Sequence, residues 1–209
     1  ELCIIATDGQ EINYFDYSDD LASSKKNNIY LGIVSRVEPS LQAAFIEFGS
    51  EKKAFLPFDE IHPSYFKIPH NEKIFTNNNE KIPDVDEEKE NKRNFLSFYR
   101  KYKIQDVIKK DQVLLIQIVK EERGTKGAAI TTFISLPGRY SVLLPNNSSS
   151  GGVSKKISNP LDRKRLKKLH DNFNLPDGMS IIIRTNAISA EDEDIIADFG
   201  YLRKLWTKI

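Results

Sequence analysis

Cysteine is almost missing from this sequence: Cys3 stands alone among 209 residues. A single thiol excludes an intramolecular disulfide and any cysteine-rich zinc site, and it fits a reducing compartment. No run approaches the roughly 18 apolar residues that a membrane-spanning helix needs. The opening ELCIIATDGQ has neither a basic n-region nor a long apolar core, so no secretory signal is expected there. It also lacks an initiator methionine and starts as if mid-strand, which predicts a piece of something longer. Histidine is scarce: His62, His70 and His170 lie apart without metal-ligand spacing, and no catalytic constellation stands out. The acidic runs DVDEE and EDED read as a solvated loop and a helix start, not as metal-binding carboxylates.

What is present is ordinary in bulk and uneven in detail. With 39% hydrophobic and 29% charged residues the chain suits one to three small globular modules. Its net charge of +1 hides a segregation. Residues 100 to 168 carry 16 Lys/Arg against 5 Asp/Glu, a surplus of 11 that leaves about −10 for the rest. A basic block of this kind suits a polyanionic partner, or else a set of solvated faces balanced by acidic neighbours.

Along the chain, LCIIAT, a turn at Asp8-Gly9 and EINYFDY predict a hairpin, followed by the polar linker SDDLASSKKN. Three β-rich runs follow: NIYLGIVSRVE, QAAFIEF and KKAFLPF. Residues 59 to 105 interrupt them with the acidic, Asn-rich TNNNEKIPDVDEEKENKR, which cannot bury enough apolar surface to order itself. That stretch is expected to be an insertion loop with a short helix at NFLSFYRKYK. Strands resume with QVLLIQIVKEE and GAAITTFISL, making five in all, the pattern of a small antiparallel OB-type barrel. After it come a strand at RYSVLLP, a turn at Gly151-Gly152, a basic helix LDRKRLKKLHDNF and a strand IIIRT. A final helix is signed by Ser189 as N-cap with Asp192 following. Its stripe of Ile195, Phe199, Leu202, Trp206 and Ile209 is expected to find its partner downstream or in a sister subunit. The fold class is therefore α/β, rich in β.

Strand parity singles out one face. Ala44, Ile46, Phe48, Ala54 and Leu56 point inward, so Phe45 and Phe55 point outward among charges, with Lys53 beside them. Val34, on the preceding strand, adds no cation. Outward rings next to cations suit stacking on the bases of a single strand. The other reading is that the insertion folds over both rings and makes them core. Arg123 and Lys126, in the turn EERGTKGAA, add cations at the rim or are simply solvated hairpin charges. Arg184 and Thr185 end an apolar strand, where an Arg fork and a hydroxyl could hold a phosphate or form a structural salt bridge.

Together these residues resemble the amino-terminal part of the ribonuclease E/G family. The similarity is densest at NIYLGIVSRVEPSLQAAFIEFGSEKKAFLPFDEIHPSYF, at VLLIQIVKEERGTKGAAITTFISLPGRYSVLLPNN, at GGVSKKI, and at RT followed by DFGYLRKLW. The insertion after HPSYFKIP is similar to the alphaproteobacterial type. The resemblance implies three modules: residues 1–22 as the first portion of a split domain like ribonuclease H, 23–134 as an S1 barrel carrying the insertion, and 135–209 as a sensor of 5′-monophosphate ends. It implies RNA contacts for Phe45, Phe55 and Lys126, and a phosphate pocket from Arg184 and Thr185 with Gly138 and Val142 as neighbours. Lys155 stands where the family usually has a bracing arginine, keeping the charge without the planar fork. NAIS after RT replaces a glycine-containing turn.

The family's hydrolysis rests on paired aspartates that hold Mg2+ in a later domain resembling DNase I, and a later cysteine pair binds Zn2+ between subunits. Nothing here matches either, so this chain is expected to bind neither metal and not to cut RNA. The resemblance further implies a single-strand-specific endoribonuclease of rRNA processing and mRNA decay as the parent, a cytoplasmic homotetramer, peripheral at the inner membrane and joined by degradosome-type partners. Two alternatives from other classes are a non-enzymatic S1 RNA-binding protein and a truncated assembly partner.

Overall fold

The computed structural model describes residues 24–67, 99, 101–147 and 151–209, together with the backbone of 2–8 and 11–18. The expected hairpin is present: β1 (Leu2–Asp8) pairs antiparallel with β2 (Glu11–Ser18), from Leu2 opposite Ser18 to Asp8 opposite Glu11. The acidic segment at 76–93 lies outside the described residues, and so does most of the helix expected at 94–103, of which Tyr99 and Lys101 are helical.

The central unit is a closed barrel of β3 (Ile29–Glu38), β4 (Ala43–Glu47), β5 (Ala54–Pro57), β6 (Val113–Lys120) and β7 (Ala129–Thr131). Its order is β3-β4-β5-β7-β6, with β6 returning to β3 and β5 meeting β7 in parallel. Alternation drives closure, because each strand turns a β-branched or aliphatic residue inward at every second position. Val34, Ala44, Ile46, Ala54, Leu56, Leu114, Ile116, Ile118 and Ile130 are all at most 1% exposed. A single helical turn, α1 (Ile104–Val107), plugs the barrel with Ile104 and Val107. At the β5–β7 contact there is no room for a side chain. A Cβ on Gly127 would come within 1.9 Å of the Lys53 carbonyl oxygen. Phe55 N donates to Ala128 O alongside, at 2.7 Å.

GAAITTFISL is not one strand. It breaks after Thr131 and resumes as β8 (Leu136–Pro137) in a second sheet. Thr132 causes the break by turning its amide and hydroxyl to Glu60 O, at 2.9 and 3.0 Å. The buried amide of Gln117 then joins the two units, accepting from Ser135 N and donating to Ser135 O, both at 2.8 Å.

The second sheet has the order β10-β11-β9-β8, with β9 at Ser141–Leu144, β10 at Gly152–Val153 and β11 at Ser180–Ile183. Gly152 therefore opens a short strand, parallel to β11, instead of a turn. Helix α2 (Pro160–Asp171) starts on Asn159, whose side chain accepts from Leu161 N, with proline at the first helical position. Helix α3 runs Asp192–Lys208, and its N-cap is Glu191, not Ser189. Arg165 explains the later start. Its guanidinium donates to the carbonyls of Ala187, Ile188 and Ala190 and to Asp192, holding residues 185–189 in a separate 3-10 turn. Most of the α3 stripe finds partners within this chain: Ile195 packs with Ile183 and Leu166, and Phe199 and Leu202 pack with Leu143 and Ile181, while Ile209 stays exposed. Ile29 and Leu115 of the barrel join that second cluster.

Candidate nucleic-acid interface

β4 and β5 face each other so that Phe45 lies directly opposite Phe55. Their rings meet edge to face, 6.0 Å apart, on the outside of the barrel, and both stay partly exposed. Around them the charges form a short relay. Lys53 Nζ lies 2.9 Å from Glu47 Oε1 and donates to Ser35 Oγ at 2.6 Å, and Ser35 Oγ donates to Glu47 at 3.0 Å. The bond from Lys53, then that from Ser35, holds the Glu47 carboxyl below the usual carboxylate value.

The rim turn is braced. Arg123 and Lys126 exchange backbone hydrogen bonds at 3.1 and 3.0 Å, Lys52 donates to Gly124 O at 2.6 Å, and Ser50 bonds Glu122. Lys126 is exposed and has no side-chain partner among the described residues. It stands two positions before Ala128, whose carbonyl accepts from Phe55 N.

At the second sheet, pairing gathers residues that are distant in sequence at one end. β10 runs parallel to β11, so Lys155 and Arg184 both follow strand ends on the same side. β9 enters from that side, where Arg184 N donates to Tyr140 O at 2.8 Å. Arg184 Nη1 donates to Gly138 O at 2.6 Å, and Arg184 and Thr185 are otherwise exposed. Val142 lies further along the sheet, opposite Ile182 and Pro137. Lys155 has no polar partner among the described residues, so the structure brings Arg184 to Gly138 and leaves Lys155 outside that contact.

Two residues escaped sequence reasoning. The β3–β4 register shifts between Val34 and Arg36. The irregularity keeps Val34 inside and turns Arg36 outward opposite Phe45, with its guanidinium 4.9 Å from the ring centroid. A cation therefore does come from the preceding strand, two residues beyond Val34. An irregularity of this kind leaves no parity signal. The other is Asp198, on α3. Its carboxylate accepts from Arg139 N, Tyr140 N, Ser141 N and Ser141 Oγ at 2.8 to 3.1 Å. A Cβ on Gly138 would lie 2.6 Å from both carboxylate oxygens, so only glycine fits this turn.

Among the described residues no group of three His, Cys, Asp or Glu could hold a metal ion. Asp192 of the EDED run is occupied by Arg165 at 2.6 Å. No helix among the described residues is long and apolar enough to cross a membrane.

A closed five-stranded barrel in this order is of the S1/OB type, here continued by an α/β unit. The family model described as Ribonuclease E/G family matches residues 135–209. Over its whole length the chain is 39% identical to a ribonuclease E of Buchnera aphidicola subsp. Acyrthosiphon pisum and 38% identical to ribonuclease E of Escherichia coli strain K12. It is 38% identical over 87% of its length to ribonuclease G of Salmonella typhimurium. It spans 20%, 17% and 32% of those proteins, respectively. The chain is thus similar to ribonucleases E and G over most or all of its length, and its residues 135–209 match the model of their family.

Proposed function

We propose that this chain is the RNA-binding amino-terminal portion of a ribonuclease E-type endoribonuclease. Its barrel takes single-stranded RNA on Phe45, Phe55 and Lys126, and the unit at 135–209 senses a 5′-monophosphate. The observation that carries the reading is the ring pair. Two phenylalanines are held outward and partly exposed by strand register, with the Arg36 guanidinium over one ring and Lys53 just before the strand that carries the other. Base stacking contributes about 1–3 kcal/mol per base, enough to offset leaving rings wet. In this reading residues 1–22 open a split domain like ribonuclease H. Hydrolysis, with its Mg2+ and Zn2+, falls to parts of a cytoplasmic, tetrameric parent outside this chain.

For the sensor, support comes from the Arg184 fork, tied at one nitrogen to Gly138 O and beside the Thr185 hydroxyl. A doubly charged 5′-monophosphate can take charge-assisted bonds from both. A triphosphate is bulkier, and a 5′-hydroxyl leaves the guanidinium without its anion. The test is a competition titration of three otherwise identical oligonucleotides with 5′-monophosphate, 5′-triphosphate or 5′-hydroxyl ends. The monophosphate should bind most tightly, and Arg184→Ala should erase the difference while sparing general affinity. Equal affinities with Arg184 intact would defeat the sensor reading. Incubation with Mg2+ should give binding without cleavage, and cleavage that survives repurification would defeat the division of labour.

A further inference from the structure

Beside the ring pair runs an open groove of about 780 Å³ that the stacking residues do not use. Arg36 lines it from β3 and Lys53 from just before β5, while Gln105 lines it from α1 and Lys110 from the segment after that helix. Ile33, Val37 and Ile108 add apolar surface to the lining. We propose that this groove is a further nucleotide subsite, taking the residue of single-stranded RNA adjacent to those stacked on Phe45 and Phe55. This rests on the RNA-binding reading given above.

Continuity supports the assignment. Arg36 stands over the Phe45 ring and also lines the groove, so a strand leaving the ring pair on that side enters it directly. The lining has the two parts a nucleotide needs, an apolar surface for a base edge and cations for a phosphate. Its size falls in the range of about 300–1,000 Å³ typical of small-ligand clefts.

The cations differ in how committed they are. Lys53 is bound to Glu47 and Ser35, and Arg36 lies over Phe45 with Glu38 at 3.9 Å. Lys110 has no hydrogen-bond or ion-pair partner among the described residues. It lines the same groove as Glu47 and Lys53. Of the two carboxylates in the lining, Glu47 is already neutralised by Lys53, leaving Asp111 against Lys110 and Arg36. Lys110 is thus the residue best placed to take the extra phosphate.

The experiment is fluorescence anisotropy on the full 209-residue chain with labelled oligouridylates of two and eight nucleotides, across a salt series. Lys110→Ala should weaken the eight-nucleotide ligand by about three- to ten-fold and lower its log–log salt slope by about 0.7, the value for one phosphate contact on a single strand. The dinucleotide, whose two bases occupy the two rings, should be unchanged. Gln105→Lys should strengthen the longer ligand only. Loss of affinity equal at both lengths, or at neither, would overturn the subsite. Phe45→Ala separates the two ideas. If it leaves the dinucleotide unaffected, the ring reading fails and the groove falls with it. If it weakens that ligand while Lys110→Ala does nothing, only the groove fails.

Discussion

On the barrel, Phe45 and Phe55 are placed by strand pairing between neighbours in the chain. At the end of the second sheet, the Gly138 turn that meets Arg184 is held by Asp198, 57 to 59 residues further along. The first arrangement tolerates changes in the side chains it displays, because the backbone ladder positions them. The second depends on a single carboxylate, and losing it releases four donors at once. One region presents, the other is assembled, and the two should fail in different ways.

The largest effect is expected from Asp198→Ala. Leaving the amides of residues 139–141 without their acceptor should cost about 3 kcal/mol of stability, read by urea denaturation. It should also remove the preference for 5′-monophosphate RNA while barrel binding persists. Unchanged stability, or a 5′ preference that survives, would mean the turn holds itself.

Phe55→Ala should act the other way round. RNA affinity should fall by about 1–3 kcal/mol, read by titration with a short oligonucleotide. Stability should fall by only about 1 kcal/mol, the worth of an edge-to-face pair. A stability loss of about 3–5 kcal/mol would instead mark the ring as core and erase the contrast between the regions.

The smallest effect probes the seam between them. His62 N donates to Thr132 Oγ1 at 2.6 Å, and its ring lies 5.3 Å from that of Phe133. Burial pushes its pKa below the ordinary histidine value, outweighing the opposing bond to the Asn146 backbone. The unfolded chain therefore takes up the proton first. Stability should be full above the unfolded value of about 6.5 and fall as pH drops through it. His62→Gln should flatten a melting-temperature profile between pH 8 and 5, and a profile unaltered by the substitution would place the acid sensitivity elsewhere.

How much of this was legible follows from where each signal lies. The inward set of Ala44, Ile46, Ala54 and Leu56 could be read by parity, and with it the outward rings. Arg36 could not, because the register shift before it reverses parity without changing residue types. The run GAAITTFISL looks uniform, and only the bonds from Thr132 to Glu60 O split it between two sheets. Ser189 has the chemistry of an N-cap, yet Arg165 on another helix claims the carbonyls around it. Arg184 and Thr185 carried little weight as a dipeptide, and their prominence came from family resemblance. Asp198 looked like one more helix charge, since its four partners are remote in sequence.

The barrel's wiring has a consequence for synthesis. β3, β4 and β5 follow one another and can form a meander as soon as they emerge, but its edges wait for β6, which begins at Val113, and for β7, which begins at Ala129. The length of the connection between Pro57 and Val113 adds little to the cost of closing the barrel, because closure entropy grows only with the logarithm of loop length. Time is another matter. At about 5–20 residues per second, translation across that gap takes about 3–11 s, during which a sheet with two unpaired edges stands outside the ribosome.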